Sequence, residues 1–205
     1  MRTALVVGGT GLVGGHLVER LLKSDDYSSI TALVRKRSFD MSPKLNEKTF
    51  DFKDEKSFTQ IDPHQNVFCC LGTTIKKAGS KEAFRFVDYE LPVRIAKQAE
   101  LNKAESFSIV TSMGADVSSK IFYNRVKGEV EQRIQECSIP RIQIFRPSLI
   151  MGDRNEFRMG EILGKGLFSI LNPLMIGAAK KYRGIHAEDI AKGIIYHLDS
   201  LPEGT

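Results

Sequence analysis

The 205-residue sequence contains no tryptophan and only three cysteines, Cys69, Cys70 and Cys137. The first two are adjacent and an odd number cannot all pair within one chain, so no disulfide framework is expected. Cysteines and histidines fall in no metal-ligand spacing, and no metal is expected. No run approaches the roughly 18–20 apolar residues of a membrane span, which argues against integral membrane association. The first apolar run, Ala4 to Val7, stops at two glycines and is too short for the centre of a signal peptide. Together with reduced cysteines this gives the expectation of a cytoplasmic protein. The net charge is +5, but Lys and Arg are spread along the chain with small clusters at 35–37, 76–77 and 180–183. That excess favours small anionic ligands and lacks the continuous basic patch of a nucleic-acid binder, so no nucleic-acid partner is expected.

What is present is an ordinary globular composition, 41% hydrophobic and 27% charged, enough for a core in a single domain spanning 1–205. Short β-rich apolar runs alternate with helical patterns, the signature of an α/β fold with a doubly wound parallel sheet and helices on both faces. Expected strands are Ala4 to Val7, Ile30 to Val34, Thr49 to Phe52, Asn66 to Leu71, Phe107 to Thr111 and Ile142 to Phe145. Expected helices are Leu12 to Lys23, a long segment from Lys81 to Leu101 kinked or restarted at Pro92, Ile121 to Cys137, and Glu188 to Leu198. The glycine-rich segment 152–184, with an apolar stretch from Leu167 to Ile176, reads as a cap over a substrate pocket.

Gly8, Gly11 and Gly14 follow the first strand and open the first helix, the context that raises a glycine motif above chance. Gly8 allows a tight turn, Gly11 a close approach to a pyrophosphate and Gly14 close packing of helix on strand. Leu12 and Val13 complete the cradle at the helix N-terminus, and Thr10 in the glycine turn is a further donor for the phosphate that Arg35 would meet. The second strand then ends in Arg35-Lys36-Arg37 with no carboxylate. An acidic residue there would favour NAD; Arg35, with Arg37 or Lys36 beside it, can pair with the 2′-phosphate of NADP(H). Asp51 and Phe52 lie where a carboxylate could accept from an adenine amino group.

Tyr123 and Lys127 are four apart on one helix and so point the same way. An ammonium beside a phenol favours the phenolate and makes the phenol a better proton shuttle. Ser112, just past the carboxyl end of the fifth strand, can hydrogen-bond a substrate oxygen. These three are the candidate catalytic set.

The motifs Gly8 to Gly14, Asp51-Phe52, Cys69 to Thr74, Lys77 to Gly79, Val87-Asp88, Ser112 to Asp116, Tyr123 with Lys127 to Glu129, and Phe145 to Pro147 run nearly the whole chain. They resemble the short-chain dehydrogenase/reductase superfamily, and within it the atypical group of the Tat-interacting-protein oxidoreductase. The resemblance implies a Rossmann fold, NADPH and a Ser112, Tyr123, Lys127 set in which Tyr123 and Lys127 also meet the cofactor. It further implies that Leu71, Gly72 and Thr73 lie along the cofactor and that Pro147 and Ser148 flank the nicotinamide. Ser112 precedes Tyr123 by 11 positions, and the region after Gly152 is short, which disfavours sugar-nucleotide epimerisation. The leading expectation is an NADPH-dependent oxidoreductase acting on a small carbonyl or alcohol. The alternative is an NADPH-sensing regulatory protein with a protein partner and no turnover. Oligomeric state, a homodimer included, stays open.

Overall fold

In the computed structural model, which describes residues 1–152 and 183–200, the main sheet is built from β1 (Arg2–Val7), β2 (Tyr27–Val34), β3 (Leu45–Thr49), β4 (Asn66–Cys69), β5 (Ser106–Val110) and β6 (Arg141–Phe145). All pairings are parallel, in the order β3-β2-β1-β4-β5-β6. The chain reverses its direction of travel between β1 and β4. In a sheet of this kind that reversal leaves a crevice at the carboxyl ends, where ligands bind. The α/β doubly wound expectation is met.

The described helices are α1 (Leu12–Lys23), α2 (Glu55–Thr59), α3 (Ile75–Ala78), α4 (Lys81–Arg85), α5 (Leu91–Leu101), α6 (Phe122–Gln135) and α7 (Ala187–Ser200). Alternation along the strands divides the core in two. Leu5, Val7, Val67, Cys69, Phe107 and Ile109 face α5 and α6, meeting Ile95, Val130 and Ile134. Ala4, Val6, Ile30, Phe68 and Val110 face α1 and α7, meeting Leu17, Leu21, Ile190 and Ile194. Each fully buried Leu or Ile contributes about 1.5–3 kcal/mol through burial. A short parallel pair, β7 (Ile150–Met151) with β8 (Ile185–His186), joins the two described stretches. The segment expected to cap the pocket, including Leu167 to Ile176, lies outside the described residues.

Several boundaries differ from expectation. The third strand is Leu45–Thr49, not Thr49 to Phe52. It is an edge strand and carries polar residues, whereas Phe50 and Phe52 lie past it and pack as an edge-on pair, with Phe50 also on Phe58. β4 stops at Cys69, two residues before Leu71. The segment from Lys81 to Leu101 is helical throughout, but it widens to a π turn over Phe86–Glu90, where the Leu91 N–H donates to the Phe86 carbonyl. Pro92 then sits in the first turn of α5. Proline has no N–H to return to the carbonyl four residues back, and a widened turn ahead of it accommodates the loss.

Buried polar side chains in the sheet are paired across strands. Tyr27 donates to Asn66 at 3.0 Å, Asn66 donates to Ser106 at 2.9 Å, and Ser108 donates to Gln143 at 2.9 Å. His64 lies between the Thr31 hydroxyl at 2.8 Å and the Asp62 carbonyl at 2.6 Å. Burial pushes the Tyr27 phenol up to about 12 and lowers the His64 imidazole.

Candidate active site at the carboxyl edge of the sheet

The crevice begins at Gly8, whose φ of +83° is a conformation glycine adopts without steric cost. A Cβ there would lie 2.7 Å from the Cys70 carbonyl carbon and 2.8 Å from the Leu71 amide nitrogen, so the first turn lies directly against the chain leaving β4. A Cβ on Gly14 would stand 2.2 Å from the Gly8 carbonyl oxygen. Helix α1 therefore packs on its own turn, with Gly11 as its N-cap and its amide donating to Gly8 at 2.9 Å. No side chain caps α1, whose first residues are Leu12 and Val13.

Ser112 leaves the end of β5 in a loop pinned on both sides. The Met113 N–H donates to the Pro147 carbonyl at 2.8 Å, joining the ends of β5 and β6. The Asp116 N–H donates to the Asn124 carbonyl at 3.1 Å, and a Cβ on Gly128 would come within 2.3 Å of the Val117 nitrogen. The same loop thus lies on the first turns of α6, which carry Tyr123 and Lys127. The Ser112 hydroxyl is buried with no hydrogen-bond partner among the described residues. Tyr123 is half-buried, its ring 5.4 Å from that of Phe84.

Lys127 is buried, and its Nζ lies 2.7 Å from Oδ1 of Asp88, on the π turn. The second Asp88 oxygen accepts from the Thr73 N–H at 2.9 Å, in the Leu71-Gly72-Thr73 loop after β4. One turn beyond Lys127, the buried Glu131 accepts from Arg146 and from the Thr111 hydroxyl. Its hydrogen bond raises the Arg146 guanidinium. The Cys69 thiol sits close enough to feel both Lys127 and Asp88, yet burial pushes it up to about 12, leaving it an inert core group.

The sequence reading gave Asp88 only as part of the Val87-Asp88 motif and did not name Glu131, yet both lie buried beside the candidate set. The signal for Asp88 was its place on the apolar stripe of Phe84, Leu91 and Ile95, where a carboxylate needs a partner. The signal for Glu131 was its i+4 spacing from Lys127, continuing the stripe from Tyr123.

The outer candidates are more exposed. Arg35 and Arg37 lie on the surface just past the end of β2. Asp51 follows β3 and accepts the Lys53 N–H at 2.9 Å, with Phe52 packed on Phe50. The Ser148 hydroxyl donates to the Arg183 carbonyl, tying the β6 loop to the second described stretch.

The HIM1 family model matches residues 25–176. Protein HTATIP2 of Rattus norvegicus is 32% identical over 174 residues, covering 83% of this chain and 72% of that protein. Protein FMP52, mitochondrial, of Candida albicans is 33% identical over 159 residues, covering 75% and 69%. Among solved structures, the Bordetella bronchiseptica enzyme WbmH, in complex with NAD+, matches with a TM-score of 0.74 at 14% identity, covering 100% of this chain and 74% of that one. The oxidoreductase ylbE of Lactococcus lactis matches with a TM-score of 0.69 at 16% identity, covering 97% and 85%. At these identities the two structures share the fold.

The relatives correct one expectation. Those from Candida albicans, Scheffersomyces stipitis and Candida glabrata are named mitochondrial proteins, so a cytoplasmic location does not stand. It rested on reduced cysteines and the lack of a long apolar run, neither of which separates the cytosol from another reducing compartment. The family match, on a sheet of this strand order, makes the chain a member of the HIM1 family, an atypical short-chain dehydrogenase/reductase resembling HTATIP2.

Proposed function

We propose that the protein is an NADPH-dependent oxidoreductase acting on a small carbonyl or alcohol. The observation that carries this reading is the buried, unpartnered Ser112 hydroxyl, held in a loop that rests on the helix of Tyr123 and Lys127. A buried hydroxyl without a partner costs about 1–3 kcal/mol, which a bound oxygen would relieve. The residues fit a dinucleotide on a second count, because Gly8 and Gly14 let the first turn lie against the chain leaving β4 and against α1, the close packing that a dinucleotide turn needs.

Gly8, Gly11 and Gly14, with the α1 amides of Leu12 and Val13 and the Thr10 side chain, would hold the pyrophosphate. Arg35, flanked by Lys36 and Arg37, would hold the 2′-phosphate. Asp51 and Phe52 would meet the adenine; Leu71, Gly72, Thr73, Pro147, Ser148 and Lys127 would line the nicotinamide half. When bound, the reduced nicotinamide supplies hydride to a carbonyl carbon. Ser112 donates a hydrogen bond to the substrate oxygen and fixes its direction. Tyr123 gives that oxygen the phenolic proton, or takes it back in the oxidative direction. The Lys127 charge is balanced by Asp88, so its first task is to stay protonated and in place.

The test is consumption of NADPH with a panel of aldehydes, ketones and quinones, by wild type and by Tyr123→Phe. The account expects turnover on part of the panel and its loss in the variant, with NADPH affinity within about twofold. Binding without turnover across the panel would instead favour a sensor of NADPH.

A further inference from the structure

We infer that Asp88 is a positioning residue, a single buried carboxylate that holds the Lys127 ammonium and fixes the loop after β4 to it. This rests on the functional reading above, in which both Lys127 and that loop meet the dinucleotide. Asp88 stands on the π turn, and its side chain is 0% exposed, against 6% for Lys127. Its two oxygens divide the work. Oδ1 faces Lys127 Nζ at 2.7 Å on α6, and Oδ2 takes the Thr73 N–H at 2.9 Å. Thr73 lies two residues beyond Leu71, whose nitrogen is in close approach to Gly8. One carboxylate therefore spans from the catalytic helix to the lip of the crevice.

Fold stability alone is a poor reason for this arrangement. A buried ion pair is often no more stabilising than an apolar pair of the same volume, so its charges ask for another role. An asparagine could accept from the Thr73 N–H equally well. Only the carboxylate can keep an ammonium charged away from water, since a buried lysine without a counter-charge sheds its proton. The π turn supplies the geometry: an extra residue in the turn is a feature that recurs at functional sites.

Among the described residues, Arg146, Arg85 and Cys69 near this part of α6 are committed or neutral. Arg146, just past β6, is bound to Glu131, and Arg85 from α4 pairs with Glu129 while lying over the Tyr89 ring. The Cys69 thiol on β4 is held protonated, and Tyr123 lies one turn back on the same helix. Asp88 is thus the carboxylate that meets Lys127 directly.

The experiment measures NADPH affinity of wild type and Asp88→Asn at about pH 6.5 and about pH 9, between the ordinary ranges of His and Lys. Taking the wild type at each pH as reference removes the titration of NADPH itself. The expected result is a loss in the variant that is about tenfold greater at the higher pH, where Lys127 without its carboxylate gives up its proton. The same loss at both pH values, or none, would overturn the assignment, since a packing role has no reason to follow pH. A wild type that fails to bind NADPH overturns the functional reading instead, and this inference falls with it. Should Asp88→Asn fail to fold, Asp88→Asn/Lys127→Met removes both charges. It is then expected to bind NADPH as Lys127→Met does, and a further loss would contradict the inference.

Discussion

The carboxylate of Asp88 lies 2.7 Å from the ammonium of Lys127, with both side chains buried. Removing one partner leaves the other charged and desolvated, which costs about 3–5 kcal/mol, whereas removing both together is close to neutral. Asp88→Ala should lower the urea midpoint accordingly, and Asp88→Leu/Lys127→Met should restore most of it. A single variant as stable as wild type would show that the pair does not persist in solution.

Gly14 and Gly15 are adjacent in α1 and should respond in opposite ways to alanine. At Gly14 the new Cβ would meet the Gly8 carbonyl oxygen at 2.2 Å, backbone that cannot step aside without opening the turn. Gly14→Ala is expected to cost about 2 kcal/mol or more and to abolish NADPH binding. At Gly15 the Cβ finds an ordinary contact of 3.6 Å, so the helix preference for alanine should add about 0.5–1 kcal/mol. Thermal unfolding of the two variants side by side checks both signs.

The glycine turn, the alternation of strands and helices and the Tyr123-Lys127 stripe were legible in the sequence because each is a local pattern with a fixed period or spacing. β3 was not. Its position as an edge strand lets Asn46, Glu47 and Lys48 occupy it, while the aromatic residues that looked like strand are filling the turn beyond. Asp88 was visible as a residue but not as a partner of Lys127. The two are 39 positions apart, and it takes both the π turn and the α5–α6 packing to bring them together. Glu131 is the same case, since its partners Arg146 and Thr111 lie just past the ends of β6 and β5, which only the fold aligns.

Arg35 is exposed just after β2, in the run Arg35-Lys36-Arg37 that holds no carboxylate. Arg35→Ala should weaken NADPH by about 1.5–3 kcal/mol, the range for a hydrogen bond to a charged group, and leave NADH almost unchanged. Titration calorimetry with both coenzymes separates the outcomes. Equal losses would remove Arg35 from the 2′-phosphate site.

His64 should make the fold sensitive to mild acid. Burial lowers its pKa in the native state, so below about 6.5 the unfolded chain binds more protons than the folded one. The stability it supports is present above that value and is lost progressively as pH falls below it. Denaturation midpoints from about pH 8 to about pH 5 should decline, and His64→Gln should flatten that decline. An unchanged slope in the variant would assign the acid sensitivity to other groups.

The most direct test of the account is the thermal stability of the wild-type protein with NADPH, with NADH and with neither. A ligand that binds only the native state at about 100 times its Kd adds about 2.7 kcal/mol. NADPH is predicted to reach that gain at a lower concentration than NADH. An unfolding temperature that neither coenzyme moves would contradict the claim that the crevice between β1 and β4 holds a dinucleotide.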